Sequence, residues 1–260
     1  MKKNRRSGEE DKVLRFAVIA VVVLFLIGAA VIAVRMMNLR VDVSEGEKKL
    51  KELGKADVQE VEGKIQELEK AERLADEEWQ NRPNNEKFAG SLVMGDSITQ
   101  GLYVYEILDS SLVVAKKGVG VRSPDKTGLS DMINQVISAK PQNLFLAFGM
   151  NDIVAAGGDA NVFSADYKVV LERLKEGLPD TKIYVNSVLP ARQNVVAKDA
   201  RYGKVPEYNE SLKALCAEEE VTFIDNTGLV TEEYYEVDGI HMKKVYYQGW
   251  VNQMAVEADL

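Results

Sequence analysis

The stretch that decides the fold is Gly90-Ser91-Leu92-Val93-Met94-Gly95-Asp96-Ser97-Ile98-Thr99-Gln100-Gly101. A short apolar run stops at Gly-Asp-Ser, and a helix-like pattern follows. That order predicts a strand that hands the chain to a helix through a tight turn. It puts the hydroxyl of Ser97 at the carboxyl end of a strand, where open α/β sheets place their ligands. A serine hydroxyl is a weak nucleophile and needs a base that is itself oriented by a third group. The chain contains one histidine, His241, in Asp238-Gly239-Ile240-His241.

Outward from this stretch, short apolar runs alternate with amphipathic ones. Strands are predicted at residues 91–96, 112–116, 143–148, 182–188 and 221–224. Helices are predicted at 98–109, 128–138, 164–177, 207–220 and 243–258. The continuous apolar run Leu144-Phe145-Leu146-Ala147-Phe148 suits a strand buried on both faces. Five strand–helix alternations read as an α/β domain with a mostly parallel sheet between helices. Polar punctuation falls at the predicted strand ends: Gly118-Val119-Gly120, Gly149-Met150-Asn151-Asp152 and Asn186-Ser187-Val188-Leu189-Pro190. Strand ends of one kind share an edge in a parallel sheet, so these segments are expected to converge.

On the amino side, residues 16–34 carry no charge. Nineteen residues at about 1.5 Å each can cross a hydrocarbon core of about 30 Å. Lys2, Lys3, Arg5, Arg6, Lys12 and Arg15 precede this run, so the amino terminus is expected to stay cytoplasmic and the remainder to be exported. A cleaved signal peptide is the alternative; the run is longer than the usual signal core, which favours a retained anchor.

Residues 44–82 are rich in Glu, Lys, Leu and Ala. Val58, Val61, Ile65, Leu68, Glu72, Ala75 and Trp79 follow a heptad spacing with one polar slip, while Leu50 and Leu53 fall out of register at Gly54. Two readings stand: a solvated spacer helix, or a self-associating coiled coil. Arg82-Pro83 ends the helix, because the residue before a proline disfavours helical backbone. The expected domains are therefore a tail at 1–15, a transmembrane helix at 16–35, a helical stalk at 36–87 and a catalytic domain at 88–260.

Charge and cysteine usage exclude several classes. Residues 88–260 carry 16 Lys/Arg against 24 Asp/Glu, and an acidic domain without a basic patch argues against nucleic acid as a partner. Cys216 is the only cysteine, which excludes an intrachain disulfide. With one histidine and one cysteine, no cluster has metal-ligand spacing, and neither a phosphate-binding nor a dinucleotide-binding loop is present. No cofactor is expected.

Gly95-Asp96-Ser97-Ile98-Thr99, Gly149-Met150-Asn151-Asp152 and Asp238-Gly239-Ile240-His241, in that order, resemble the SGNH (GDSL-type) hydrolases over residues 88–258. The resemblance implies a three-layer α/β/α sandwich with a flavodoxin-like five-stranded sheet, and ester hydrolysis through an acyl-enzyme. It makes Ser97 the nucleophile, His241 the base and Asp238 the group that orients it. It makes the oxyanion donors the Ser97 N–H, a backbone N–H at Gly120 and the Asn151 amide. The second block departs from the family pattern: it reads Ala115-Lys116-Lys117-Gly118-Val119-Gly120-Val121-Arg122, which leaves Gly118 and Val121 as alternatives to Gly120. Asp152 is expected to brace the loop carrying Asn151, and Ser187 with residues 190–193 to line the pocket.

Anchor, stalk and resemblance together suggest an extracytoplasmic esterase acting on acyl esters, most simply O-acetyl groups, of a surface glycan or peptidoglycan. An acyltransferase on the same glycans shares the first half of the chemistry. A membrane-tethered scaffold with an inactive hydrolase fold is the reading from a different class.

Overall fold

The computed structural model describes residues 4–38 and 58–260. The predicted heptad break at Leu50, Leu53 and Gly54 lies outside the described residues. The chain divides into two compact units, Met1–Ile65 and Gln66–Leu260.

In the first unit, helix α1 runs over Asn4–Asn38. Its segment Val18–Arg35 has mean hydropathy 2.9 and none of it is buried. By length and composition it is able to cross a membrane. Helix α2, Val58–Ala75, begins in this unit and ends in the second.

In the second unit, five strands form one parallel sheet: β1 (Ser91–Gly95), β2 (Val113–Ala115), β3 (Asn143–Ala147), β4 (Lys182–Asn186) and β5 (Thr222–Ile224). Their order is β2-β1-β3-β4-β5. Five helices cover the sheet: α3 (Ser97–Val104), α4 (Leu129–Ala139), α5 (Ala160–Gly177), α6 (Val205–Glu218) and α7 (Lys244–Glu257). Helix α5 packs on α4 and α6, while α3 packs on α7. The connection from β1 to β2 runs one way along the sheet and those from β2 onward run the other, an order that distributes helices to both faces. The three-layer α/β/α expectation holds. Val93, Phe145, Leu144 and Leu146 are fully buried, as strands covered on both faces require.

The reversal of strand order falls between β1 and β3. Gly95 is paired with Ala147 there, so the two chains leave the sheet side by side at its carboxyl edge. Every predicted strand is present and one to two residues shorter. At β4 the predicted strand continues to Val188, but the ladder stops at Asn186. The Asn209 side chain takes over: it accepts from the Val188 N–H at 2.8 Å and donates to the Val188 carbonyl at 2.9 Å. The apolar run therefore stays buried after leaving the sheet.

The expected boundary at residue 88 falls inside the second unit, which begins at Gln66. Trp79, the last position of the predicted heptad seam, is buried. Its indole N–H donates to the Leu260 carbonyl at 2.7 Å, and the Lys87 ammonium sits 4.0 Å over its ring. Lys70 and Arg73 pair with Glu257 and Asp259. The predicted helix breaks at Asp76, whose side chain caps a second short helix, Glu77–Asn81, and this later part covers the domain's own carboxyl terminus. Ile65 and Leu68, earlier in the seam, are exposed.

Candidate active site

Strand β1 can end as it does because Gly95 has no side chain: a Cβ there would overlap the Thr99 hydroxyl and the Ala147 carbonyl. Asp96 caps α3, its Oδ1 accepting the Ile98 N–H at 2.9 Å. Ser97 is thus the first residue of the helix, half-buried, with its N–H among the unpaired donors of a helix start.

The segment before α7 supplies the partners. Asp238 Oδ1 accepts the N–H groups of Ile240 and His241, both at 2.9 Å. Gly239 lies between them at φ +77°, a backbone conformation that disfavours any side chain. This tight turn swings the imidazole back onto its own aspartate: His241 Nδ1 lies 2.6 Å from Asp238 Oδ2. The other ring nitrogen, Nε2, lies 2.9 Å from Ser97 Oγ. A carboxylate can only accept, so Nδ1 carries the proton and Nε2 presents its lone pair to the hydroxyl. Partial burial pulls the Asp238 carboxyl up, but the bonds from Ile240, the imidazole and the His241 N–H outweigh it and hold it below the ordinary value. It is the ionised form that fits.

The sequence reading did not single out what steadies this segment. The Arg192 N–H donates to the Gly239 carbonyl at 2.8 Å, and its guanidinium pairs with Glu232 at 2.6 Å. The Tyr235 hydroxyl donates to the Pro190 carbonyl at 2.8 Å. Residues 190–192 therefore clasp the histidine loop, and no local pattern in the sequence announces that. Ser187 lines a cavity with Asp96, Ile98, Phe148, Met150, Val188, Leu189 and Trp250, about 310 Å³ with its open mouth included. Pro190 to Gln193 are not among the residues lining it.

The remaining sequence candidates meet at the same edge. Asn151 leaves β3 in the first turn of a short helix, Met150–Ala155. Its Nδ2 donates to the Val119 carbonyl at 2.9 Å and to Asp96 Oδ2 at 3.3 Å. Among the three candidate backbone donors, Gly118 lies in an exposed turn at φ +78°. The Val121 N–H lies beside the Asp152 carboxylate and helps to hold its pKa down, and the Arg122 N–H donates to that carboxylate at 3.0 Å. The Gly120 N–H has no acceptor among the described residues. A Cβ on Gly120 would come within 2.5 Å of Asp152 Oδ1. Asp152 thus ties the loop carrying Gly120 to the segment that carries Asn151. Its carboxyl is raised by burial, an effect that the Arg122 and Val121 N–H groups partly offset. Cys216 is buried in the core, and burial pushes its thiol up to about 12.

The family model described as GDSL-like Lipase/Acylhydrolase matches residues 93–248, which include Ser97, Gly120, Asn151, Asp238 and His241. The fold is similar to that of a GDSL-like lipase from Bacteroides thetaiotaomicron, at 19% identity over 65% of this chain and 88% of that one, with TM-score 0.52. It is also similar to a carbohydrate esterase family 3 protein from Talaromyces cellulolyticus, at 15% identity over 65% of this chain and 95% of that one, with TM-score 0.51. At such identities the likeness is one of fold. Among curated proteins, none matches this sequence.

Proposed function

This chain belongs to the GDSL-like lipase/acylhydrolase family, and we propose that it is a serine esterase in which Ser97, His241 and Asp238 do the chemistry. The observation that carries the reading is the unbroken hydrogen-bonded line from Ser97 Oγ through His241 to Asp238, at 2.9 and 2.6 Å. His241 Nε2 takes the hydroxyl proton as Oγ attacks the ester carbonyl carbon. The imidazolium, held by Asp238, returns that proton to the leaving alcohol. Water activated by the same nitrogen then cleaves the acyl-enzyme and frees the acid.

The negative oxygen of each tetrahedral intermediate meets the N–H groups of Ser97 and Gly120 and the amide of Asn151. A donor of this kind contributes about 3–4 kcal/mol to lowering the barrier. The bond from Asn151 to Asp96, at 3.3 Å, lies just beyond the usual 2.7–3.2 Å range, so that hydrogen is free to be shared with an oxyanion as charge develops.

The substrate reading is an acyl ester, most simply O-acetyl, on a surface glycan or peptidoglycan. It is supported by the apolar segment Val18–Arg35. The carbohydrate esterase that shares the fold is compatible with a glycan carrier. The six basic residues ahead of the apolar segment orient it with the amino terminus in the cytoplasm and the catalytic domain outside, as a single-pass membrane protein. In this proposal residues 36–65 connect anchor and enzyme.

The test is hydrolysis of a small aryl acetate by the full chain in detergent. The wild type releases acetate and Ser97→Ala does not. Equal rates from the two would remove the nucleophile assignment.

A further inference from the structure

Asp96 is a buried carboxyl that the mechanism above leaves without a task. Its side chain is 3% exposed, and burial pushes it up to about 7 against the pull of the Ile98 N–H. The nearby Asp152 raises it further and His241 lowers it. Capping α3 does not explain this cost. A cap needs one oxygen, and serine or asparagine supplies it as well as aspartate does. The oxygen that capping leaves over is Oδ2, and it faces the Asn151 amide at 3.3 Å.

That amide has two orientations related by a flip about its last torsion. One presents its N–H groups to the site, and the other presents its carbonyl, which would repel a negative oxygen. Two acceptors from two different strand ends decide between them. The Val119 carbonyl takes one hydrogen at 2.9 Å. Asp96 Oδ2, which when ionised can only accept, takes the other. Held at a single point the amide would still swing about that bond; held at two it has one plane.

We infer that Asp96 is a positioning residue that acts through Asn151, holding the amide in the flip state that keeps its NH₂ rather than its carbonyl at the Asp96–Ser97 strand end, from which the long contact to Asp96 lets one hydrogen be shared with the developing oxyanion. The inference rests on the esterase reading for its consequence, but the contact itself is separately measurable.

The experiment uses the full chain and the variants Asp96→Ser and Asp96→Asn, each also combined with Asn151→Ala. Serine keeps the helix cap and removes the acceptor. Asparagine keeps the cap but cannot offer an oxygen to both Ile98 and Asn151. With an aryl acetate at about pH 8, both variants are expected to lower kcat about 10- to 100-fold with KM changed less than about twofold. In the Asn151→Ala background the same substitutions should have no further effect. A drop of equal size in that background would overturn the inference, as would retention of wild-type kcat. The second readout needs no turnover. The two proton signals of the Asn151 amide, assigned by their loss in Asn151→Ala, should be well separated in the wild type and move together in Asp96→Ser. Unchanged signals would also overturn it. Moving signals in a wild type that hydrolyses no ester would sink the esterase reading while leaving the Asp96–Asn151 contact supported.

Discussion

Replacing Asp238 by asparagine tests the proposed relay at its most constrained point. Oδ1 of Asp238 is held by two backbone N–H groups at 2.9 Å each. An asparagine must keep its carbonyl oxygen there, because the flipped amide would set its NH₂ against two donors. Its NH₂ then takes the place of Oδ2, 2.6 Å from His241 Nδ1. Two donors cannot face each other at that distance, so the imidazole moves its proton to Nε2, where it can no longer accept from Ser97. The corresponding Asp-to-Asn change in serine proteases lowers kcat by about 10⁴. Asp238 is half exposed, so water can satisfy part of the mismatch, and we expect a fall of about 10³, equivalent to about 4 kcal/mol. KM should change less than about twofold. The assay is kcat on an aryl acetate combined with ¹⁵N spectroscopy of the imidazole, which gives one set of signals because the chain has one histidine. The wild type should show the Nδ1–H tautomer and Asp238→Asn the Nε2–H tautomer. A variant within tenfold of wild type, or a thousandfold loss with the Nδ1–H tautomer retained, would refute the tautomer argument.

Three further outcomes are expected. Asp96 is raised from 3.8 in the unfolded chain to about 7 in the folded one, so between those values only the unfolded chain is ionised. Stability therefore falls as pH rises through this window, by about 1.4 kcal/mol per pH unit and about 4 kcal/mol in all. Chemical unfolding of wild type and Asp96→Asn at several pH values checks it, since the variant should lose that slope; parallel curves would count against the assignment. Trp79→Ala should cost about 3–5 kcal/mol, because it empties a buried site and orphans the Leu260 carbonyl, and removing residues 66–87 should lower Tm similarly. A wild-type melting curve from residues 88–260 alone would contradict this. Gly120→Ala drives a methyl against the Asp152 carboxylate and should reduce kcat by about 100-fold with little change in KM; wild-type kcat would argue against Gly120 as a donor.

Much of the candidate site was legible in the chain because its residues sit in short local patterns. Asp96-Ser97 marks the end of a strand and the start of a helix. Asp238-Gly239 marks a tight turn that folds His241 back on its own aspartate. Asn151 follows an apolar run long enough only for a buried strand. The supporting contacts were not legible, because each joins segments with no local relation. Arg192 reaches Gly239, Asn209 reaches Val188, and Asp152 holds Arg122. Trp79 fitted a heptad register because a helix face does not record what will cover it.

The sequence by itself determined the alternation of strands and helices, the apolar segment near the amino terminus and the identity of the chemical groups, since periodicity and turn residues act over a few positions. The tertiary structure alone decided that the helix carrying Trp79 closes on the domain's carboxyl terminus. It also decided that the Asp152 carboxylate serves the Gly120 loop, and that a second carboxyl, Asp96, faces the Asn151 amide. Those outcomes depend on distances between residues far apart in the chain, and such distances are set only when the sheet aligns its strand ends.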